Sequence, residues 1–295
     1  MAVEKVTVKE ALQRASFRYR EAGLEQPREE AEILLAHLLG WDRLRLYLEG
    51  ERELPPEAAA AFQEAQERRS RGEPLAYITG KKEFYGLEFK VTPAVLIPRP
   101  ETEFLVDAVL EWVGKRGAPR GEGLVLGDLG TGSGNLVVTL SCLLPLARCW
   151  AIDISPEALQ VARENAARHK VEHRICWRRG DYFKALEKDQ PPPRFDVIVS
   201  NPPYIPGDAL DCLPQTVRGY EPLLALDGGG DGLEGYRRLL EDLPRHLRSP
   251  GLVVLEVGDG QMEAVERLCR ERGIFKSLAF RQDYAGRARV LEGLV

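Results

Sequence analysis

No apolar run in this chain of 295 residues reaches the roughly 20 residues that a bilayer-spanning helix needs. The N-terminal MAVEKVTVKE lacks the basic-then-apolar layout of a secretory signal, so a cytoplasmic location is expected. The five cysteines, at 142, 149, 176, 212 and 269, form no C-x-x-C pair. They read as small buried hydrophobes in a reducing compartment, not as disulfides or zinc ligands. Four scattered histidines give no metal signature, and no metal is expected. Basic excess is missing too. The formal net charge is −5, which speaks against a protein whose main task is to grip a long stretch of nucleic acid. Charged clusters such as Glu67 to Arg71 read as solvated helix faces. No internal repeat is present.

What is there is an ordinary globular composition, long enough for two cored domains: 44% hydrophobic and 29% charged residues. Residues 1–73 read as a helical bundle. Thr7 followed by Glu10 is a capping box, with Val8, Leu12 and Ala15 at helical spacing. Pro27 opens a second helix that Gly40 stops, and Pro55-Pro56 opens a third that Gly72 closes. Residues 74–98 contain YITGKKEFYGLEFKVT, whose alternation and glycines read as a β-hairpin joining two domains. Residues 99–295 form the second domain. From 123 onward strands alternate with helices. Strands are expected at 123–129, 148–153, 174–178, 195–200, 251–257, 276–282 and 288–294, with helices at 156–168, 233–247 and 261–272. That order predicts an α/β, doubly wound, mostly parallel sheet whose last two strands pair antiparallel.

The strand GLVLGDL runs into Gly130, Thr131, Gly132, Ser133 and Gly134, and a helix follows. Such a loop lets a ligand approach the backbone closely and presents helix N–H groups to an anion. The spacing G-x-G-x-G is not the dinucleotide motif, and no G-K-[ST] is present for a nucleoside triphosphate. Asp153 ends the next strand, 19 residues past Gly134, where a carboxylate can accept both ribose hydroxyls. Asp153 also suits the start of the helix at Ser155-Pro156. Asp181 and Tyr182, after the third strand, stand where a polar group and an aromatic can flank an adenine. Together these residues fit an adenosyl ligand that carries an amino acid and no pyrophosphate, which is S-adenosylmethionine.

DLGTGSG (128–134), AIDIS (151–155) and NPPY (201–204), in that order, resemble the class I methyltransferases. VLIPRPETEFLVD (95–107), RGYEPLLALDGGGDGLEGYRRL (218–239), the helical N-terminal module and AGRARVL (285–291) resemble the release factor glutamine methyltransferase family. The resemblance covers essentially the whole chain. It implies a Rossmann-like sheet with its last strand antiparallel, an N-terminal substrate-docking domain and a monomer. The implied substrate is the glutamine of the Gly-Gly-Gln loop in class-1 peptide chain release factors, methylated at N5 for translation termination.

NPPY then has a chemical reading. The lone pair of an amide or exocyclic amine nitrogen is delocalised, so an enzyme must orient the group and favour a localised lone pair. The Asn201 side-chain carbonyl can accept one N–H and the Pro202 backbone carbonyl the other. Pro203 stiffens the loop, and Tyr204 offers a flat face to the planar group. Asn201, Pro202 and Tyr204 are therefore the expected catalytic set. Pro203 joins them in binding substrate, and Asn201 also borders the cofactor. These residue types specify a planar NH2 group and no narrower substrate. An adenine-N6 or guanine-N2 methyltransferase acting on DNA or RNA needs the same motif, and is disfavoured by the acidic balance and the absence of a basic domain. The roles of Arg99, Thr102 and Glu103 stay open between the ligand site and helix capping, and Glu256 ends a strand near the pocket. Asp227 and Asp231 read as turn residues and not as a calcium loop.

Overall fold

The computed structural model describes residues 5–295, which divide into two compact units. The first runs through Gly80 and includes Pro214–Tyr220. Its helices are α1 (Val8–Glu21), α2 (Pro27–Leu39), α3 (Arg43–Leu48), α4 (Pro56–Ser70), α5 (Leu75–Thr79) and the short α9 (Gln215–Arg218). The expected capping box is present: Glu10 N donates to Thr7 Oγ1 at 3.3 Å and Thr7 N donates to Glu10 Oε2 at 2.9 Å. Gly40 ends α2 in the left-handed conformation that glycine adopts without strain. Tyr19, Leu34, Leu35, Leu46 and Phe62 fill the core.

Two expectations for this unit need correction. α3 was not foreseen, because six residues are too few for a periodic signal; Asp42 caps it by accepting Arg45 N at 2.8 Å. The stretch Glu67 to Arg71 is not wholly solvated. Arg69 is buried and pairs with Glu30, Nη2 to Oε1 at 3.0 Å. A guanidinium held by a carboxylate in this bidentate way can leave water without stranding its charge.

The second unit opens with a hairpin, β1 (Lys81–Phe84) and β2 (Leu87–Lys90). The hairpin expected over 74–98 is thus confined to 81–90, and 75–79 is helix. Gly80, at φ +70°, ends α5, and positive φ at both Tyr85 and Gly86 makes the tight turn that matches strand twist. Phe84 and Phe89 are buried in the core of this unit.

Its main sheet contains β3 (Val125–Leu129), β4 (Arg148–Asp153), β5 (Ile175–Arg179), β6 (Phe195–Ser200), β7 (Leu247–Glu256), β8 (Ser277–Gln282) and β9 (Ala288–Leu294). The strand order is β5-β4-β3-β6-β7-β9-β8. All pairings are parallel except those of β9, which inserts antiparallel between β7 and β8. This is the mostly parallel sheet with an antiparallel last strand that the sequence implied. All six residues of β6 are buried, and burying side chains the size of Val197, Ile198 and Val199 contributes roughly 1.5–3 kcal/mol each. The helices are α6 (Glu103–Lys115), α7 (Asn135–Leu143), α8 (Pro156–Arg168), α10 (Glu234–His246) and α11 (Met262–Glu271). Chain order reverses between β3 and β6, the switch point where open α/β sheets bind ligands beyond their carboxyl ends. Among the described residues no helix is long and apolar enough to cross a membrane. Cys149 and Cys269 are buried as expected, whereas Cys176 and Cys212 are exposed.

Candidate active site

A cavity of about 390 Å³ opens at that switch point. Its wall takes residues from the carboxyl ends of β3, β4, β5 and β6 and from the segments around 94–102 and 222–238. Gly130, Thr131, Gly132, Ser133, Asp153, Asp181, Tyr182, Asn201 and Pro203 all stand on it. These residues are expected at one site, and the sheet brings them together.

The glycine loop explains its own composition. Gly130 and Gly132 have φ of +76° and +54°, and a Cβ at either would meet no protein atom within 4 Å. They are needed for the turn, and the space beside them stays open to the cavity. Gly134 differs. A Cβ there would lie 3.0 Å from the Ala162 Cβ, so this glycine lets α7 approach α8 and does not stand on the cavity wall. The fully buried Asn165 fastens the loop from behind: its Nδ2 donates to Ser133 O at 2.8 Å and to Lys90 O at 3.0 Å.

Asp153 meets the expectation at the start of the helix and also ties down the glycine loop. Oδ2 accepts Gly132 N at 2.8 Å and Oδ1 accepts Ser155 N at 2.9 Å. Ser155 in turn caps α8 by accepting Ala158 N at 3.0 Å. Each carboxylate oxygen retains acceptor capacity for a hydroxyl from the cavity. Burial raises the Asp153 pKa against the lowering by these backbone N–H groups. Asp128, which is not among the expected site residues, lies beneath the loop. Its Oδ2 accepts Thr131 Oγ1 at 2.6 Å and Val137 N at 3.2 Å, while the buried Oδ1 has no partner. Burial pushes its carboxyl up to about 7. The signal was in the motif itself, an acid inside the apolar strand GLVLGDL.

Asp181 is paired with Arg238 from α10, and that guanidinium lies over the Tyr182 ring at 5.8 Å from its centroid. Arg238, Asp181 and Tyr182 therefore form one wall of the cavity, and Arg238 was another residue missed. Nothing local marks an arginine in mid-helix as a site residue. The open roles now divide. Arg99 and Thr102 stand on the wall, and Arg99 Nη2 donates to the buried Glu221 Oε1 at 2.5 Å. Glu103 turns away and accepts Tyr85 N at 2.7 Å, joining α6 to the hairpin. Asp227 and Asp231 accept Gly229 N and Leu233 N, two residues on in each case, which are turn contacts.

The tetrapeptide after β6 is tightly enclosed. Asn201 and Pro203 reach the cavity, whereas Pro202 and Tyr204 are not on its wall. Pro202 is buried against α10, where a Cβ on Gly235 would come 3.1 Å from its own Cβ. The Tyr204 ring is turned back, its hydroxyl 3.5 Å from Glu256 Oε1 at the end of β7. Gln261 Nε2 donates to Tyr204 O at 2.9 Å. A Cβ on Gly258 would stand 2.9 Å from the Tyr204 ring and one on Gly232 2.5 Å from Tyr204 O, so only glycine fits at either position. Gln261 carried no functional reading in the sequence; the structure makes it a tie on the loop.

Two family models match the chain: the PrmC N-terminal domain over residues 10–80 and a methyltransferase domain over residues 121–282. A release factor glutamine methyltransferase of Moorella thermoacetica is 46% identical over 96% of this chain and 97% of its own length. That of Koribacter versatilis is 41% identical over 98% of each. Among solved structures, the N-terminal domain of human METTL16 in complex with SAH superposes with a TM-score of 0.53. It covers 79% of this chain and 83% of its own at 16% identity, a likeness of fold alone. The near full-length identity to the curated relatives, over both units, shows that this chain belongs to the release factor glutamine methyltransferase family.

Proposed function

We propose that this protein transfers a methyl group from S-adenosylmethionine to the side-chain nitrogen N5 of the glutamine in the Gly-Gly-Gln loop of class-1 peptide chain release factors. One observation carries the reading. The glycine loop, Asp153 and Asn201, which are far apart in sequence, converge on one cavity of about 390 Å³. That volume lies within the range of sites for ligands of this size.

The residues present fit S-adenosylmethionine. Asp153 faces the cavity with acceptor capacity for two ribose hydroxyls, the open space beside Gly130 and Gly132 admits the amino-acid end, and Tyr182 offers a ring. When bound, the cofactor supplies a sulfonium-activated methyl group. The protein's part is then to hold the nitrogen. Asn201 Oδ1 accepts one N–H of the glutamine amide; the backbone carbonyl of Pro202, whose ring packs away on α10 between the wall residues Asn201 and Pro203, accepts the other, which holds the NH2 group in place and favours a lone pair localised on nitrogen. Pro203 limits loop movement. Tyr204 serves by bracing the loop, since its ring is turned toward Glu256. The proton on nitrogen can leave to water after transfer, so no general base is required.

The helical unit is the proposed docking surface for the release factor. It exposes Phe17, Leu44, Tyr47 and Leu48, of which Leu48 is 77% exposed. Apolar side chains left to solvent in this way suit a protein partner.

The test offers radiolabelled S-adenosylmethionine with unmethylated release factor, the same factor with its Gly-Gly-Gln glutamine changed to alanine, and unmethylated DNA and RNA. Label only in the intact factor is the expected result. Label in nucleic acid would overturn the substrate. Asn201→Ala should lose about 100-fold or more in kcat, and near-normal turnover would remove its orienting role.

A further inference from the structure

We propose that Glu256 is a positioning residue for methyl transfer: acting through Thr102, it fixes which end of the Asn201 carboxamide faces the cavity. The inference rests on the glutamine-methylation reading above and adds a residue to its machinery. Asn201 Nδ2 donates to Thr102 Oγ1 at 3.3 Å, and Thr102 Oγ1 donates to Glu256 Oε2 at 2.5 Å. Thr102 and Glu256 are each 2% exposed, so water does not compete for these contacts.

The direction of this chain follows from the inventory of donors. A carboxylate only accepts. The single hydroxyl proton of Thr102 is therefore committed to Glu256, and toward Asn201 the hydroxyl has only lone pairs to offer. Asn201 must present its NH2 to Thr102. Its carbonyl oxygen is then the end left for the substrate amide, which needs an acceptor. The reversed chain would set the Asn201 NH2 against the substrate NH2, donor against donor. A carboxamide is nearly symmetric in shape, so packing alone does not distinguish its two ends. An ionised carboxylate two hydrogen bonds away does. The other carboxylate oxygen lies 3.5 Å from the Tyr204 hydroxyl, and Tyr236 donates to the Glu256 backbone carbonyl at 3.0 Å, so the strand end that carries the carboxylate is itself held.

Charge at Glu256 is set by its surroundings. Burial pushes its carboxyl up to about 7; Glu101 acts in the same direction, Arg289 and the Thr102 and Tyr204 hydroxyls against it, and Tyr236 packs beside it. Protonation converts one oxygen into a donor and releases the constraint on Thr102. kcat should therefore fall as pH is lowered through about 7.

The experiment uses the full chain, S-adenosylmethionine and unmethylated release factor. Wild type, Glu256→Gln, Thr102→Val and Thr102→Ser are compared for kcat, for KM of the release factor, for equilibrium binding of S-adenosylmethionine and for folding by circular dichroism. Glu256→Gln keeps the shape but can donate to Thr102. It should lose about 100-fold in kcat, with cofactor affinity and KM within about threefold of wild type, and its kcat should no longer fall below pH 7. Thr102→Val should show the same split, and Thr102→Ser, which restores the hydroxyl, should recover most of the activity. If Glu256→Gln does not fold, the threonine pair decides alone. Equal activity of the valine and serine variants, a Glu256→Gln kcat within about threefold of wild type, or matched losses in cofactor binding and kcat would each overturn the proposal. A wild type that binds S-adenosylmethionine but leaves release factor unlabelled overturns the substrate reading instead.

Discussion

Replacing Gly235 by alanine isolates the contact between α10 and the NPPY loop. Gly235 lies in the first turn of α10, and a Cβ there would stand 3.1 Å from Pro202 Cβ, 3.1 Å from Pro203 O and 3.3 Å from the Tyr182 hydroxyl. Carbon atoms in contact prefer about 3.5–4.0 Å, so the wall must retreat by about half an ångström. Two opposing terms set the change in stability. Alanine favours the helix by about 1 kcal/mol over glycine, and crowding a packed site costs about 1–3 kcal/mol. The net loss should be small, about 2 kcal/mol at most. Activity has no such compensation, because all three crowded residues belong to the NPPY loop or the cavity wall. Displacement of the nitrogen-holding loop by a fraction of an ångström should lower kcat about tenfold or more. Urea unfolding gives the stability change, and release-factor methylation under saturating cofactor gives kcat. A folded variant with kcat within about twofold of wild type would refute the reasoning, since it would mean that the position of the loop does not limit turnover.

Asp153→Asn should weaken S-adenosylmethionine binding by about tenfold or more, as charge-assisted contacts to Gly132 N, Ser155 N and the cavity weaken; calorimetric titration checks this. Asp128 should impose a pH dependence on stability. Its folded pKa of about 7 lies above the ordinary 3.8, so the folded chain holds a proton that the unfolded chain releases. Its contribution is therefore fully present below about pH 4 and is lost as pH rises through 7, by a few kcal/mol. Urea midpoints of wild type minus those of Asp128→Asn should decline from pH 5 to pH 8, and a difference that rises instead would contradict the burial argument. Leu44→Glu with Leu48→Glu should raise KM for release factor several-fold and leave cofactor affinity unchanged, which steady-state kinetics and titration separate.

The sequence was most informative where local physics decides the outcome. The Thr7–Glu10 capping box, Gly40 at the end of α2, the glycine loop and the buried strand FDVIVS all formed where expected, because each depends on neighbours within a few residues. Alternation of strands and helices fixed the α/β class and hence the switch point at which the ligand residues gather. The sequence is silent where the local signal is short or mixed, or where the deciding partner is distant. α3 is too short to show a period. Tyr85-Gly86 set the hairpin turn that the broader alternation of 74–98 had blurred. Gly134 looked like its neighbours in the motif, yet packs against Ala162 in another helix.

Sequence by itself determined the family, the sheet and several of the residues that gather on the cavity wall, since these are written in motifs whose spacing follows the backbone. Only the tertiary structure decided how those residues are aimed. Arg238 meets Asp181 from α10, Gly232 and Gly258 leave room for Tyr204, and Glu256 reaches Asn201 through Thr102. Thr102 precedes Glu256 by 154 residues, and no local pattern encodes a hydrogen bond across such a separation. The sheet brings the two together, and burial then makes the direction of that bond count.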